Sequence, residues 1–146
     1  MEPLPAGKLF EEERELLTPE ERAGLVAFRQ RSYRNMSLPK VTSFADIESE
    51  ERFGCAAGVQ HLYVNTQGDL FPCNFLPLAL GNILRDEPAV LWGRLRRYFP
   101  FARRECFLLT HRRELRGLRE GPLPFPWEKT REVFSKLEDG DFLKWR

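Results

Sequence analysis

Gly54-Cys55-Ala56-Ala57-Gly58-Val59-Gln60-His61-Leu62-Tyr63-Val64-Asn65-Thr66-Gln67-Gly68-Asp69-Leu70-Phe71-Pro72-Cys73-Asn74-Phe75-Leu76-Pro77-Leu78-Ala79-Leu80-Gly81-Asn82 is the stretch on which the fold turns. His61 to Asn65 alternates in polarity, with Leu62 and Val64 on one face, which is the pattern of a half-buried strand. Thr66-Gln67-Gly68-Asp69 has turn chemistry, and Leu70-Phe71 is a second short apolar run. Two such runs around a glycine-containing link predict a β-hairpin. Pro72 has no N–H to give a ladder, so the second strand is an edge or ends there. The return of the hairpin brings Cys55 and Cys73 towards each other. Paired strands lie only ~5 Å apart, a scale that suits two ligands of one metal centre.

On the N-terminal side, Thr18-Pro19-Glu20-Glu21 predicts a helix start, with Thr18 as cap, Pro19 in the first position and Glu21 completing a capping box. The helix is expected from Pro19 to about Tyr33, with Leu25 and Phe28 as a narrow apolar stripe. Met1 to Leu17 is polar and acidic and reads as a fraying end. Asn35 to Ser43 reads as a connection, Val41 to Phe44 as a short strand, and Ala45 to Arg52 is polar and acidic. On the C-terminal side, Leu76 to Leu80 reads as buried loop and Gly81-Asn82 as a turn. Asp86 is the expected cap of a helix over Glu87 to Tyr98, burying Val90, Leu91, Leu95 and Tyr98 and stopped by Phe99-Pro100. Cys106 to Leu109 is a short apolar stretch. Gly121 to Trp127 is extended and proline-rich, Glu128 to Leu137 reads as a short helix, and Asp141 to Arg146 has no reading. The fold class expected is a small α+β domain, a β-hairpin flanked by short helices and extended loops.

The chain has 146 residues and a formal net charge of +1, with ordinary apolar and charged fractions. That length is one domain's worth. The near-zero charge gives no global drive towards nucleic acid or an anionic membrane. No apolar run is long enough for a transmembrane helix, and no signal peptide opens the chain, so the expected compartment is the cytoplasm. Cysteines stay reduced there, and three of them cannot form a complete disulfide framework. Arg94, Arg96, Arg97, Arg103, Arg104, Arg112, Arg113, Arg116 and Arg119 make one region basic. Glu105, Glu114 and Glu120 dilute it, so nucleic acid is not the expected partner. No nucleophile–base pair or glycine-rich phosphate loop is present.

For three cysteines taken alone, the bland reading is buried small hydrophobes. Metal binding is the alternative, and zinc is one candidate, since three thiolates and a histidine such as His61 or His111 form a common structural site.

Cys55-x12-Gly68-x4-Cys73, framed by Gly54, Gly58, Asp69 and Pro72 and followed by Gly81-Asn82-Ile83 and Trp92, resembles the opening of the SPASM or twitch domain. That domain is the auxiliary iron–sulfur module of radical S-adenosylmethionine enzymes. The resemblance covers about Phe53 to Cys106. It implies one iron–sulfur cluster of the [4Fe–4S] type, with Cys55, Cys73 and Cys106 as its ligands. Leu109 and Leu115 stand where a second cluster would need cysteines. The fourth iron is left open or held by a non-cysteine group such as Glu105 or His111. The Cys-x3-Cys-x2-Cys loop of the radical core is absent, so no S-adenosylmethionine site is expected and the chain is not expected to be catalytic alone. The division expected is 1–43 resembling the tail end of a radical core, 44–110 the cluster-binding domain and 111–146 a proline-rich extension. A separate radical core, a peptide or a small-molecule substrate is the implied partner, with electron transfer or substrate anchoring as the role. A metal-free or zinc-stabilised peptide-binding module, or the remnant of a truncated enzyme, stays open beside it.

Overall fold

A computed structural model describes residues 16–42, 47, 53–117 and 123–138. The expected readings for Met1 to Glu15, most of the 43–52 segment, Arg119, Gly121-Pro122 and Asp141 to Arg146 lie outside those residues. The described architecture is α+β: helices around a small three-stranded antiparallel sheet.

The hairpin forms as its sequence predicts. Strand β1 (Tyr63–Val64) pairs with β2 (Asp69–Phe71), placing Tyr63 opposite Phe71 and Val64 opposite Leu70. The turn is closed by the Gly68 amide donating to the Asn65 carbonyl at 3.1 Å, with Gly68 at φ 86°. A side chain at that φ is strained, which is why glycine stands there. The Asn65 side-chain oxygen accepts from the Gln67 and Asp69 amides at 3.0 and 2.8 Å, a local Asx arrangement that fixes the turn.

A third strand, β3 (Gly81–Asn82), corrects the expectation of a turn at this dipeptide. It pairs with β2, making β2 the central strand. Long-range bonds frame it: the Leu80 amide donates to the Leu70 carbonyl at 2.7 Å and the Ile83 amide to the Gly68 carbonyl at 2.8 Å. The Asn82 side chain donates to the Gln67 carbonyl and to Asp69, each at 2.8 Å, so the buried amide is matched by the hairpin turn it faces. Pro72 falls just beyond β2, where its missing N–H costs nothing.

Helix α1 (Pro19–Arg34) has the full capping box: the Thr18 amide donates to Glu21 Oε2 at 2.8 Å, and the Glu21 amide to Thr18 Oγ1 at 3.2 Å. Only Ser32 is buried along it, so the Leu25 and Phe28 stripe faces solvent. Beyond α1, Val41 and Thr42 are not in a strand, and Ser43 and Phe44 lie outside the described residues. Helix α2 (Pro88–Tyr98) is capped at Glu87 without a side-chain bond. Asp86, the expected cap, instead accepts from the Asn82 amide at 2.8 Å and pairs with Arg94 at 3.4 Å. Leu91, Leu95 and Tyr98 are buried as the periodicity predicts, whereas Val90 is exposed.

Two short helices, α3 (Phe107–Thr110) and α4 (Arg112–Gly117), lead towards α5 (Trp127–Glu138). The core gathers Leu76, Leu78, Leu80, Leu95, Tyr98, Phe99, Phe107, Leu108, Leu115, Phe125, Val133, Phe134 and Leu137. Tyr98 stacks on Phe134 at 4.1 Å, and Phe99 meets Phe107 edge-on at 5.5 Å. Each such side chain withdrawn from water contributes about 1.5–3 kcal/mol. The apolar run 76–80 is buried and held in place by Phe125, whose amide and carbonyl bond to Pro77 and Ala79 at 2.8 and 3.0 Å. No described helix is long and apolar enough to cross a membrane.

Candidate metal centre

Gly54 sets up the site. Its φ is 60°, and a Cβ there would drive into the Arg103 carbonyl. Glycine alone allows the two segments to approach this closely. The close approach lets Cys55 and Arg103 exchange backbone bonds, Cys55 donating at 2.7 Å and Arg103 at 2.8 Å. That isolated bridge carries Cys106, three residues past Arg103, to Cys55. Cys106 is the N-cap of α3, so the helix start fixes its backbone.

The Cys106 thiol is hydrogen-bonded to Cys55 and is the main reason the Cys55 pKa falls from 9.0 to about 5. Burial opposes that fall. The backbone amides of Phe107 and Ala57 and the positive charge of Arg103 act with Cys106. Cys55 is therefore a thiolate at neutral pH, in a nest of donors inside an apolar shell, although it is 5% exposed. Arg103 lies 4.8 Å from the ring centroids of both Phe99 and Phe107 and donates to the Tyr98 carbonyl at 3.0 Å. Burial lowers its pKa and Cys55 raises it.

Cys73 is half-buried and packs against the same core cluster that holds Cys55. The chain reaches it through Pro72, whose carbonyl accepts from the Gly58 amide at 2.8 Å. One thiol–thiol contact joins Cys55 and Cys106. Among the described residues, no three His, Cys, Asp or Glu side chains gather closely enough to hold a metal ion. The donor chemistry suits a soft metal or an iron–sulfur cluster, since the thiolate is the liganding form. The described geometry supplies two thiols in contact and a third on the same core.

Among the non-cysteine candidates, His111 packs on Phe107 at 4.6 Å between ring centroids. Burial lowers its pKa, with Glu114 opposing and Arg103 assisting, so its imidazole is neutral at pH 7. Glu105 accepts from the Thr110 hydroxyl at 3.1 Å. His61 is exposed on the hairpin.

Arg103 is the site residue that sequence reasoning missed, because it reads as one arginine among many. The left-handed Gly54 beside Cys55 is the signal that could have found it. Three of the other arginines, all on α2, make contacts of their own. Arg94 lies 4.2 Å over the Trp127 ring and donates to the Leu80 carbonyl at 2.9 Å, while Arg96 and Arg97 lie over Trp92 and Tyr98. No protein-family model matches this chain, and neither does any curated protein or solved structure.

Proposed function

We propose that this chain is an iron–sulfur cluster-binding module, with Cys55, Cys73 and Cys106 as thiolate ligands of one [4Fe–4S] cluster. Its role is electron transfer or substrate anchoring beside a separate radical S-adenosylmethionine core. One observation carries the reading: two cysteines far apart in sequence meet in an apolar shell, with Cys55 held as thiolate by Cys106 and backbone amides. The spacing of Cys55, Gly68 and Cys73 supports it. A cluster bound by three thiolates leaves one iron for a substrate or a non-cysteine group. Cys73, packed against the same core cluster, is the third ligand in this reading.

The test is anaerobic reconstitution with ferrous iron and sulfide, followed by metal and sulfide analysis. About four irons and four sulfides per chain are expected, with brown thiolate-to-iron absorbance. Cys55→Ala, Cys73→Ala and Cys106→Ala should each lower the iron content. The loaded chain alone should release no 5′-deoxyadenosine from S-adenosylmethionine. A colourless, iron-free protein would reject the reading.

A metal-free or zinc-stabilised binding module is the second reading. Its metal-free form is the one that fits the described residues, among which no three donors gather. One zinc per chain in place of iron, or no metal at all, would select between its two forms.

A further inference from the structure

The face of α1 that carries Phe28, together with the loop that follows the helix, forms an open hollow of about 530 Å³. Phe28, Met36 and Leu38 supply its apolar wall, and Arg31, Arg34 and Asn35 its polar rim. Phe28 is 45% exposed and Met36 is 90% exposed. Leu25, one turn before Phe28, extends the apolar line and is also exposed. The hollow is held open by a built scaffold. Lys40 donates to the carbonyls of Ser32, Tyr33 and Asn35 at 3.0, 3.3 and 3.2 Å, folding the loop back under the end of the helix. The Val41 amide donates to the Ser32 hydroxyl, which itself donates to the Arg29 carbonyl at 2.7 Å.

The charge of this segment is one-sided. Between Arg22 and Thr42 stand Arg22, Arg29, Arg31, Arg34 and Lys40, with no aspartate or glutamate. Lys40 is spent on helix carbonyls and Arg29 lies over Tyr33 at 4.5 Å. Arg31 and Arg34 remain at the rim, with no ion-pair partner among the described residues. Guanidinium groups favour planar, bidentate recognition of carboxylates. A hollow of this size has room for a large apolar side chain and its neighbours, and the two arginines suit flanking carboxylates.

We propose that this hollow docks an acidic peptide segment carrying at least one large apolar side chain. The proposal does not depend on the cysteine site. Apolar walls distinguish the hollow from a phosphate groove, which needs only charge and stacking platforms.

The test is fluorescence anisotropy with a fluorescein-labelled peptide, Glu-Asp-Leu-Phe-Glu-Asp-Leu, against the full chain. Saturable binding is expected, weakening as salt rises. The double variant Arg31→Glu/Arg34→Glu should weaken it by about tenfold or more, the scale of two surface charge contacts. Met36→Asp should weaken it by about fivefold or more through loss of apolar contact. Both variants lie on exposed positions, and circular dichroism checks that α1 remains. Several results would overturn the proposal: unchanged affinity in both variants, equal binding of a hexaglutamate peptide, or no binding up to about 1 mM, the weak end of specific affinity. Tighter binding of a single-stranded oligonucleotide to the same arginines would overturn it in favour of nucleic acid.

Discussion

Helices α1 and α2 began with opposite endowments. α1 has a complete capping box and sixteen residues, yet buries only Ser32. α2 has eleven residues and no side-chain cap, yet buries Leu91, Leu95 and Tyr98. Local bonds decide where a helix starts, and packing decides what it contributes to the domain. A cap is worth about 1 kcal/mol, while one buried aromatic is worth several times that. α1 is thus a presented element and α2 a structural one.

A pair of phenylalanines, one from each setting, carries the largest expected contrast. Phe134 is fully buried against Tyr98 and Phe99, so Phe134→Ala should cost about 3–5 kcal/mol in urea unfolding. Phe28 is exposed, and Phe28→Ala should stay within about 0.5 kcal/mol. Comparable losses would mean that α1 is packed after all.

The next effect is expected at Gly54, where the clash with the Arg103 carbonyl adds to the backbone cost. Gly54→Ala forces a side chain into a left-handed backbone and should cost about 1–3 kcal/mol for that conformation alone. The same variant should disturb the pH dependence that Cys55 creates. In the metal-free protein the folded-state pKa of Cys55, about 5, lies below its ordinary 9.0. Its stabilisation is therefore complete above about pH 9, shrinks as pH falls, and is gone below about pH 5. Urea midpoints taken across that window on chelator-treated protein should rise with pH. Cys106→Ala should flatten the rise, because the Cys106 thiol is its main cause; an unchanged slope would remove the Cys55–Cys106 bond from the account.

The smallest effect is expected at Thr18. Thr18→Ala removes the cap and should weaken α1 by about 1 kcal/mol, seen as faster amide exchange in its first turns. Global unfolding should hardly move. A matching drop in the global midpoint would show that α1 and the core unfold together.

Legibility followed the range of the forces involved. The start of α1 was readable because Thr18, Pro19 and Glu21 act on one another within a single turn. The hairpin was readable because Gly68 and the polarity of His61 to Asn65 are local. β3 was not, because Gly81 and Asn82 become a strand only through bonds to Gly68 and Leu70 made by residues beside them. Leu25 and Phe28 have core spacing, but nothing in that spacing says whether another element will cover them. Asp86 resembles a helix cap by position, yet Asn82 and Arg94 compete for its carboxylate. At the candidate site, the residue types were visible from the cysteine spacing. The meeting of Cys55 with Cys106 was expected only through the family resemblance; the Arg103 bridge that makes it was not legible, since no periodicity marks it.

The shared cluster of Cys55 with Val133, Phe134 and Leu137 has a consequence for synthesis. A ribosome delivers the chain from its N-terminus, so Cys55 emerges long before the helix that helps to cover it. At translation rates of about 5–20 residues per second, the interval between Cys55 and Leu137 lasts about 4–16 s. Through that interval Cys55 and Cys73 are exposed to whatever the surroundings offer, whether iron, sulfide, zinc or oxidant. Under the proposed cluster-binding role, loading is easiest before α5 docks, and α5 then closes over the site.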